Sequence, residues 1–309
     1  MTDTPPSALP TVSVVVATRD RPLLLAKAIE SIMGQSYEGD IECVVVYDQV
    51  PPDTSMERSD PHRSVVVVGN DRSPGLAGAR NSGALRSRGE LLAFCDDDDE
   101  WLPGKLSAQV SLLESRRADV AVSGIYVLFD GRSTARVADE SSLTVLQLAR
   151  RRVMEAHPST VLVRREAFFD RIGLVDEEIP GSYGEDYDWM LRAAAAGPIA
   201  AVEEPLVRVL WGSQSFFQRD WRMVVDGLEY LAGKHEILRA DPRASAKITG
   251  RQAFAFAALG DRRQALRLAW RTFRSNWRQP RSYLVLMMTA GLLRPDFMLR
   301  TAHSRGRGI

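Results

Sequence analysis

Cysteine is scarce in this chain: of 309 residues only Cys43 and Cys95 are cysteine. Each sits inside an apolar run, ECVVV and LLAFC. That placement excludes a disulfide-stapled scaffold and reads as two small buried hydrophobes in a reducing compartment. Long apolar runs are missing too, since no segment reaches the roughly 18 to 20 apolar residues a spanning helix requires. The opening MTDTPPSALP has neither a basic n-region nor an apolar h-region. A cytoplasmic location is therefore expected, without export and without a membrane span. What remains, 45% hydrophobic and 26% charged residues, is the composition of an ordinary globular protein.

Net charge is also absent, but the zero conceals a division. Residues 1 to 233 hold 24 Lys+Arg against 36 Asp+Glu, a net of −12, and residues 234 to 309 hold 16 against 4, a net of +12. A basic tail on an acidic body points either to an anionic partner or to docking of the tail on the body.

Along the chain, TVSVVVA at 11–17 is a β-branched run bounded by Pro10 and the polar TRDR, the pattern of a buried parallel strand. Helical spacing follows over 22–36, with Pro22 suited to the first turn. Further strands are expected at 41–48 and 64–70, a helix at 77–87, and a fourth strand, LLAFC, at 91–95. This alternation predicts an α/β fold whose functional groups gather at the strand C-termini.

The fourth strand ends in four consecutive aspartates, Asp96 to Asp99. Adjacent carboxylates repel, and a hard divalent cation, Mg2+ or Mn2+, relieves that repulsion. If the chain stays extended, alternation aims Asp96 and Asp98 the same way, which makes these two the candidate metal ligands. Asp99 and Glu100 precede WLPGKLSAQVSLLES, and the reading preferred for Asp99 is a cap of that helix.

Taken in order, these segments resemble the family 2 glycosyltransferases over about residues 11–215, which implies a GT-A fold: a Rossmann-like mixed sheet flanked by helices, here with a C-terminal helical appendage. VSVVVATRDR resembles the family's strand and P-T-Y-N-R-like turn, with Ala17 in place of proline and Asp20 in place of asparagine. VVVYDQV stands where a V-D-D-G-S-like motif is expected, so that Asp48 matches its second aspartate. GLAGARNSG at 75–83 matches G-x-x-x-A-R-N-x-G, Asp96–Asp99 the D-x-D-D element, and WLPGKL the W-x-P-x-K-L that follows. The resemblance implies nucleotide contacts from Thr18, Asp20, Arg21, Asp48, Arg80, Asp96 and Asp97.

GSYGEDYDWMLRAAAAG resembles the family's E-D-x-x-x-x-x-R helix beside the acceptor site. Asp186 is then the expected general base, because inverting transfer needs a carboxylate to take the proton of the attacking acceptor hydroxyl. Glu185, Trp189, His157 and Trp211 are candidates for the acceptor or sugar pocket. The same residues also have plainer readings: helix-start acids at Glu185 and Asp186, core packing for Trp189, a structural histidine before Pro158, and a loop-packing Trp211. Asp188 is expected to be solvated or capping, and Arg192 to brace the acidic residues. Where family members carry a histidine in Y-R-x-H-x-x-x-S, this chain reads LVRVLWGSQS, keeping Arg208 and Ser215 but placing Leu210 or Trp211 at the histidine position.

Beyond residue 220 the pattern turns helical. The expected division is a disordered 1–10, a catalytic domain over 11–219 with a nucleotide-sugar half at 11–100 and an acceptor half at 101–219, and a basic helical region over 220–309. Gly260 and Asp261 mark a helical hairpin. YLVLMMTAGLL, too short to span, suits an interfacial position beside the Arg-rich helix. The expected partners are a nucleotide-sugar donor, a saccharide or lipid-linked saccharide acceptor, an anionic membrane surface on the inner face of the cell membrane, and a second copy in a homodimer. Nucleic acid is not expected, since no reading motif accompanies the arginines. The alternatives to transfer are a silent nucleotide-binding scaffold and a nucleotidyltransferase; for the latter, ATRDRPLLL lacks the Gly-rich, lysine-bearing loop.

Overall fold

The computed structural model describes residues 9–137, 139–151, 153, 155–211 and 220–293. The β-branched run folds as β1 (Val12–Thr18), and Pro22 opens α1 (Pro22–Met33), which turns Leu25, Ala28, Ile29 and Ile32 inward. β2 (Ile41–Tyr47), β3 (Arg63–Gly69), α2 (Leu76–Arg86) and β4 (Leu91–Asp96) follow within a residue or so of their expected places. α2 is almost entirely buried because small residues let it lie directly on the strands. A Cβ at Gly83 would stand 2.3 Å from Val15 Cγ1, and one at Gly78 would stand 2.0 Å from the Ser73 carbonyl oxygen.

After β4 come β5 (Glu100–Trp101), α3 (Lys105–Arg116), β6 (Val120–Phe129), β7 (Arg132–Arg136), α4 (Val145–Arg150) and β8 (Leu162–Arg164). α5 (Glu185–Ala196) and the long β9 (Ile199–Leu210) complete the sheet region. The β6–β7 hairpin turns on Asp130 and Gly131, at φ 48° and 71°, the two-residue left-handed turn that a D-G pair between strands favours. The C-terminal helices are α6 (Trp221–Lys234), α7 (Ile237–Ala240), α8 (Pro242–Ala258), α9 (Arg262–Ser275) and α10 (Pro280–Thr289).

Among the described residues the strands form one nine-stranded mixed sheet, ordered β3-β2-β1-β4-β8-β6-β9-β5, with β7 paired to β6. β3, β2, β1 and β4 are parallel, and β8 runs antiparallel to both β4 and β6. From β1 the chain moves outward to β2 and β3, then returns to place β4 on the other side of β1. The ends of β1 and β4 therefore flank a topological switch point, the place where an open α/β sheet leaves a crevice for a ligand.

The basic C-terminal helices dock on this body with their first half. Leu228, Leu231, Leu238, Ala244 and Ile248 join the same core cluster as Val15, Phe94 and Trp189. Lys247, 6% exposed, donates to the carbonyls of Leu148 and Arg151 at 2.9 and 3.1 Å, so that a cation covers the C-terminal end of α4. The expected hairpin is present: Gly260 has φ 83°, and the Asp261 side chain caps α9 by accepting from the Gln264 N–H. Both cysteines are free and buried. Among the described residues no helix is long and apolar enough to cross a membrane. Ser215 lies outside the described residues, as do residues 1–8 of the N-terminal segment and residues 294–309 of the tail.

Candidate functional site

Three strand ends converge. Thr18 closes β1, Asp48 follows β2, and the aspartate run leaves β4. The Asp48 carboxylate is taken up by the chain itself: it accepts from Asn70 Nδ2 at 2.8 Å, Gln49 Nε2 at 2.8 Å and the Gly75 N–H at 3.1 Å. Burial opposes its charge, but these donors outweigh burial and hold the carboxyl below its usual value. Gln49, at the glycine position of the V-D-D-G-S-like pattern, has φ 58°, which explains why glycine suits that place. Asp20 is exposed at φ 55°, a left-handed conformation that Asp and Asn tolerate.

The aspartate run does not stay extended. The Asp99 N–H donates to the Asp96 carbonyl at 3.1 Å, the chain turns, and Glu100 and Trp101 pair with β9 before α3 begins at Lys105. Two expectations are corrected here. Asp99 caps no helix, because the β5 strand separates it from α3; it is 1% exposed and accepts from Ser159 Oγ at 2.5 Å and the Leu210 N–H at 3.4 Å. The alternation that was to pair Asp96 with Asp98 is also undone by the turn. Asp98 instead accepts from Arg21 Nη1 at 2.9 Å, and the same nitrogen reaches Asp97 at 3.2 Å, while Thr18 Oγ1 donates to Asp97 at 2.8 Å.

Asp96, Asp99 and His157 stand together, with one ligand atom from each lying within 4.8 Å of the others. His157 Nδ1 is 3.4 Å from Asp99, and Nε2 is 3.9 Å from Asp96. The position follows from the chain: His157-Pro158 opens a single 3-10 turn leading into β8, and Ser159 in that turn bonds both the Asp96 N–H (3.0 Å) and the Asp99 carboxylate. Burial, then Asp96 and Asp98, push the Asp99 carboxyl well above the usual range, and burial with Asp96 and Asp97 raises Asp98 to about 6. Crowded carboxylates beside an imidazole form a donor set that fits a hard or borderline divalent cation and relieves that repulsion.

Arg80 lies beneath this group at 4% exposure. Its Nη2 donates to Asp96 at 2.7 Å and its Nη1 to Glu185 at 2.6 Å, at the first turn of α5. Burial works against the ionised Asp96, but Arg80 and His157 outweigh it and hold the carboxyl down. Burial and then Asp186 push Glu185 up to about 8 against the pull of Arg80. Asp186 is half-buried on the next position of the same turn and adds to the field that keeps Arg80 cationic. The structure thus gathers Thr18, Arg21, Arg80, Asp96–Asp99, His157, Glu185 and Asp186 around one end of the sheet.

Trp189 does not join them. It is 5% exposed, packs against Phe168 with 5.8 Å between ring centroids, and donates its indole N–H to the Gly173 carbonyl, so it belongs to the core and not to a sugar pocket. Trp211 is half-buried against the opposite core cluster, its backbone N–H donating to the Leu128 carbonyl at 2.9 Å. Asp188, expected to be solvated or capping, is fully buried and caps no helix: Arg192, Lys234 and His235 meet it at 2.9, 2.9 and 2.7 Å, so Arg192 braces this carboxylate and not the aspartate run. Arg208 is paired at the surface with Glu100. Ser159 was missed, and nothing in the local spacing of HPSTV marks it, because its role depends on the pairing of β8 with β4.

Comparison with known proteins gives concordant results. The family model described as Glycosyl transferase family 2 matches residues 13–172. The succinoglycan biosynthesis protein ExoO of Rhizobium meliloti is 31% identical over 209 residues, 63% of this chain and 59% of its own. The Escherichia coli UDP-Glc:alpha-D-GlcNAc-diphosphoundecaprenol beta-1,3-glucosyltransferase WfaP is 27% identical over 117 residues, 38% of this chain and 46% of its own. The chain spans less than two thirds of the length of these relatives. Among solved structures, S. aureus TarS 1-349 in complex with UDP-GlcNAc superposes with a TM-score of 0.64 at 15% identity, covering 96% of this chain and 92% of that one. The mannosyltransferase PcManGT of Pyrobaculum calidifontis, in complex with GDP-Man and Mn2+, gives 0.57 at 15% identity, over 96% and 84%.

Proposed function

The chain belongs to glycosyl transferase family 2 and has a GT-A fold, and from that premise we propose that it transfers a sugar from a nucleoside diphosphate donor, a UDP-sugar by preference, with inversion at the anomeric carbon. The observation that carries this reading is the meeting of Asp96, Asp99 and His157 at the switch point of the sheet with the Glu185–Asp186 turn, through the shared Arg80.

In this reading Asp186 takes the proton of the acceptor hydroxyl. The freed oxygen pair forms the new bond to the anomeric carbon from the face opposite the diphosphate, and the old carbon–oxygen pair leaves with the diphosphate. Asp96, Asp99 and His157 would hold a divalent cation, Mg2+ or Mn2+, which when bound supplies positive charge to the departing diphosphate. Arg80 fixes the separation between the two acidic groups by holding Asp96 and Glu185 at 2.7 and 2.6 Å. Thr18 and Arg21 orient Asp97 and Asp98 at the rim, where Arg21 remains half-exposed.

UDP is favoured because TarS is described with UDP-GlcNAc and WfaP as a UDP-Glc transferase. WfaP is named for a diphosphoundecaprenol acceptor, which supports a lipid-linked saccharide acceptor at the inner face of a membrane and a role in envelope polysaccharide or glycolipid synthesis. Calorimetric titration with UDP, GDP and dTDP, each with and without Mn2+, tests the assignment. Mn2+-dependent binding of one diphosphate is expected. Binding of none would leave a silent scaffold as the better description.

A further inference from the structure

The last two described helices carry apolar side chains on both faces. On α9, Ala265, Leu268, Ala269 and Thr272 are buried toward α8 and α10. Exposed apolar side chains run along one flank of the same helix, beside its arginines: Leu266, Trp270 and Phe273 recur at i, i+4 and i+7, the spacing of one helix face. Trp270 is 62% exposed and stacks on Phe273 with 5.8 Å between centroids. On α10 the inward positions are Ser282, Val285 and Met288, and the outward ones are Tyr283, Leu286 and Met287. The two outward rows meet where Phe273 contacts Tyr283 edge to face at 6.1 Å, and Trp277, 60% exposed, is tied in by the Tyr283 hydroxyl donating to its carbonyl at 2.7 Å.

A row of arginines borders this apolar surface. Arg263, Arg267, Arg271 and Arg274 run beside the apolar row about a quarter turn away, Arg278 lies past the end of α9 over the Trp277 ring, and all are exposed. Residues 262 to 293 contain seven arginines and no Asp or Glu. The bordering arginines form no ion pair with any described residue, in contrast to Lys234 and Arg150, which dock the preceding helices through Asp176, Asp188 and Asp241. Docking on the acidic body therefore accounts for the first half of the C-terminal region and leaves the arginines of α9 unused.

We propose that the outward face of α9 and α10 is a membrane-binding surface, in which the aromatic row enters the interface of an anionic bilayer and the arginine row lies against its headgroups. Trp and Tyr favour that depth, and the long arginine stems let the charge reach phosphate while the stem covers apolar surface. A second copy of the chain is the poorer occupant, because residues 262 to 293 offer no Asp or Glu with which the copy's face could meet the arginines. The surface would bring the site to a lipid-linked acceptor, and in that purpose alone it rests on the transfer reading.

The test uses the full chain in flotation with vesicles of phosphatidylcholine alone and of phosphatidylcholine with 30% phosphatidylglycerol. Two surface variants are compared, Trp270→Ser/Trp277→Ser and Arg263→Gln/Arg267→Gln/Arg271→Gln/Arg274→Gln. Wild type should float with the anionic vesicles and shift its tryptophan emission to the blue, and added salt should weaken both effects. Each arginine near an anionic surface is worth about fivefold in partitioning, so the fourfold variant should lose on the order of several hundredfold. The tryptophan variant should lose about tenfold or more. Wild type that stays with the aqueous phase, or variants that float as wild type does, would overturn the proposal. So would a concentration-dependent dimer that the tryptophan variant abolishes in the absence of vesicles. Binding of UDP, measured on the same variants, keeps the two readings separate: a chain that floats but binds no nucleotide sinks the transfer reading and leaves this one standing.

Discussion

Arg80 divides its guanidinium between Asp96 and Glu185, at 2.7 and 2.6 Å, so a single buried cation ties the end of β4 to the first turn of α5. Removing one partner of such a pair leaves the others uncompensated in a site where water cannot replace it. Arg80→Met should cost about 3–5 kcal/mol of stability, read from the denaturant midpoint. Glu185→Gln in the same background removes one of the stranded carboxylates and should restore part of that loss. An Arg80→Met variant that unfolds with wild type would show that the pair is not holding the site together.

Asp186 shares the turn with Glu185 but makes no ion pair among the described residues, and its side chain accepts only from its neighbour's N–H, Tyr187, at 2.7 Å. A carboxylate so placed has capacity left for a proton. Asp186→Asn should lower turnover by about 10²-fold or more while leaving the affinity for the nucleoside diphosphate essentially unchanged. Loss of diphosphate binding in parallel with turnover would assign Asp186 to the donor site instead.

The strands β1 to β4 were legible because buried parallel strands declare themselves as β-branched runs, as in VSVVVA and CVVVY. GLAGARNSG was legible as a motif, and its physical meaning appears only in the fold, where Gly78 and Gly83 admit backbone and strand side chains that a Cβ would strike. Asp99 and Ser159 were not legible. The turn that redirects the aspartate run is fixed by pairing with β9, more than a hundred residues later, and a local reading therefore took Asp99 for a helix cap. Asp188 fails for the same reason: its partners Lys234 and His235 come from α6 and the residue that follows it. The D-G hairpin at 130–131 did carry a local signal, the two-residue turn between strands, and could have been found.

His157 and Asp99 occupy the ground where an alternating D-x-D reading would put Asp98. If they hold the cation, Asp99→Asn and His157→Ala should each weaken Mn2+ by about a hundredfold or more, at or beyond the loss that removing an outer partner of a metal ligand brings. Asp98→Asn should cost far less, because that carboxylate faces Arg21 at the rim. Mn2+ titration followed by electron paramagnetic resonance, with and without UDP, separates the three variants. A loss confined to Asp98→Asn would restore the alternating pair as the metal ligands.

Lys105 is fully buried, its ammonium 3.7 Å from the centroid of the Trp101 ring and without a hydrogen-bond partner among the described atoms. Burial brings it down to about 7 from its ordinary 10.5. Above pH 10.5 the amine is neutral in both folded and unfolded chains and costs nothing as a charge. As pH falls from 10.5 to 7 the unfolded chain takes up a proton that the folded one refuses, so stability is lost across that window and then levels off below it. The full effect of such a shift is about 5 kcal/mol, reduced in practice by the attraction of the Trp101 ring. Lys105→Met keeps the apolar stem and removes the ammonium; it should be more stable than wild type at pH 7 by about 2–4 kcal/mol, with the difference closing as pH approaches 10. Denaturant titrations of both proteins at pH 7, 8.5 and 10 measure this directly. A difference that stays constant over the range would mean that Lys105 keeps its proton in the fold, held by the Trp101 ring more strongly than burial opposes it.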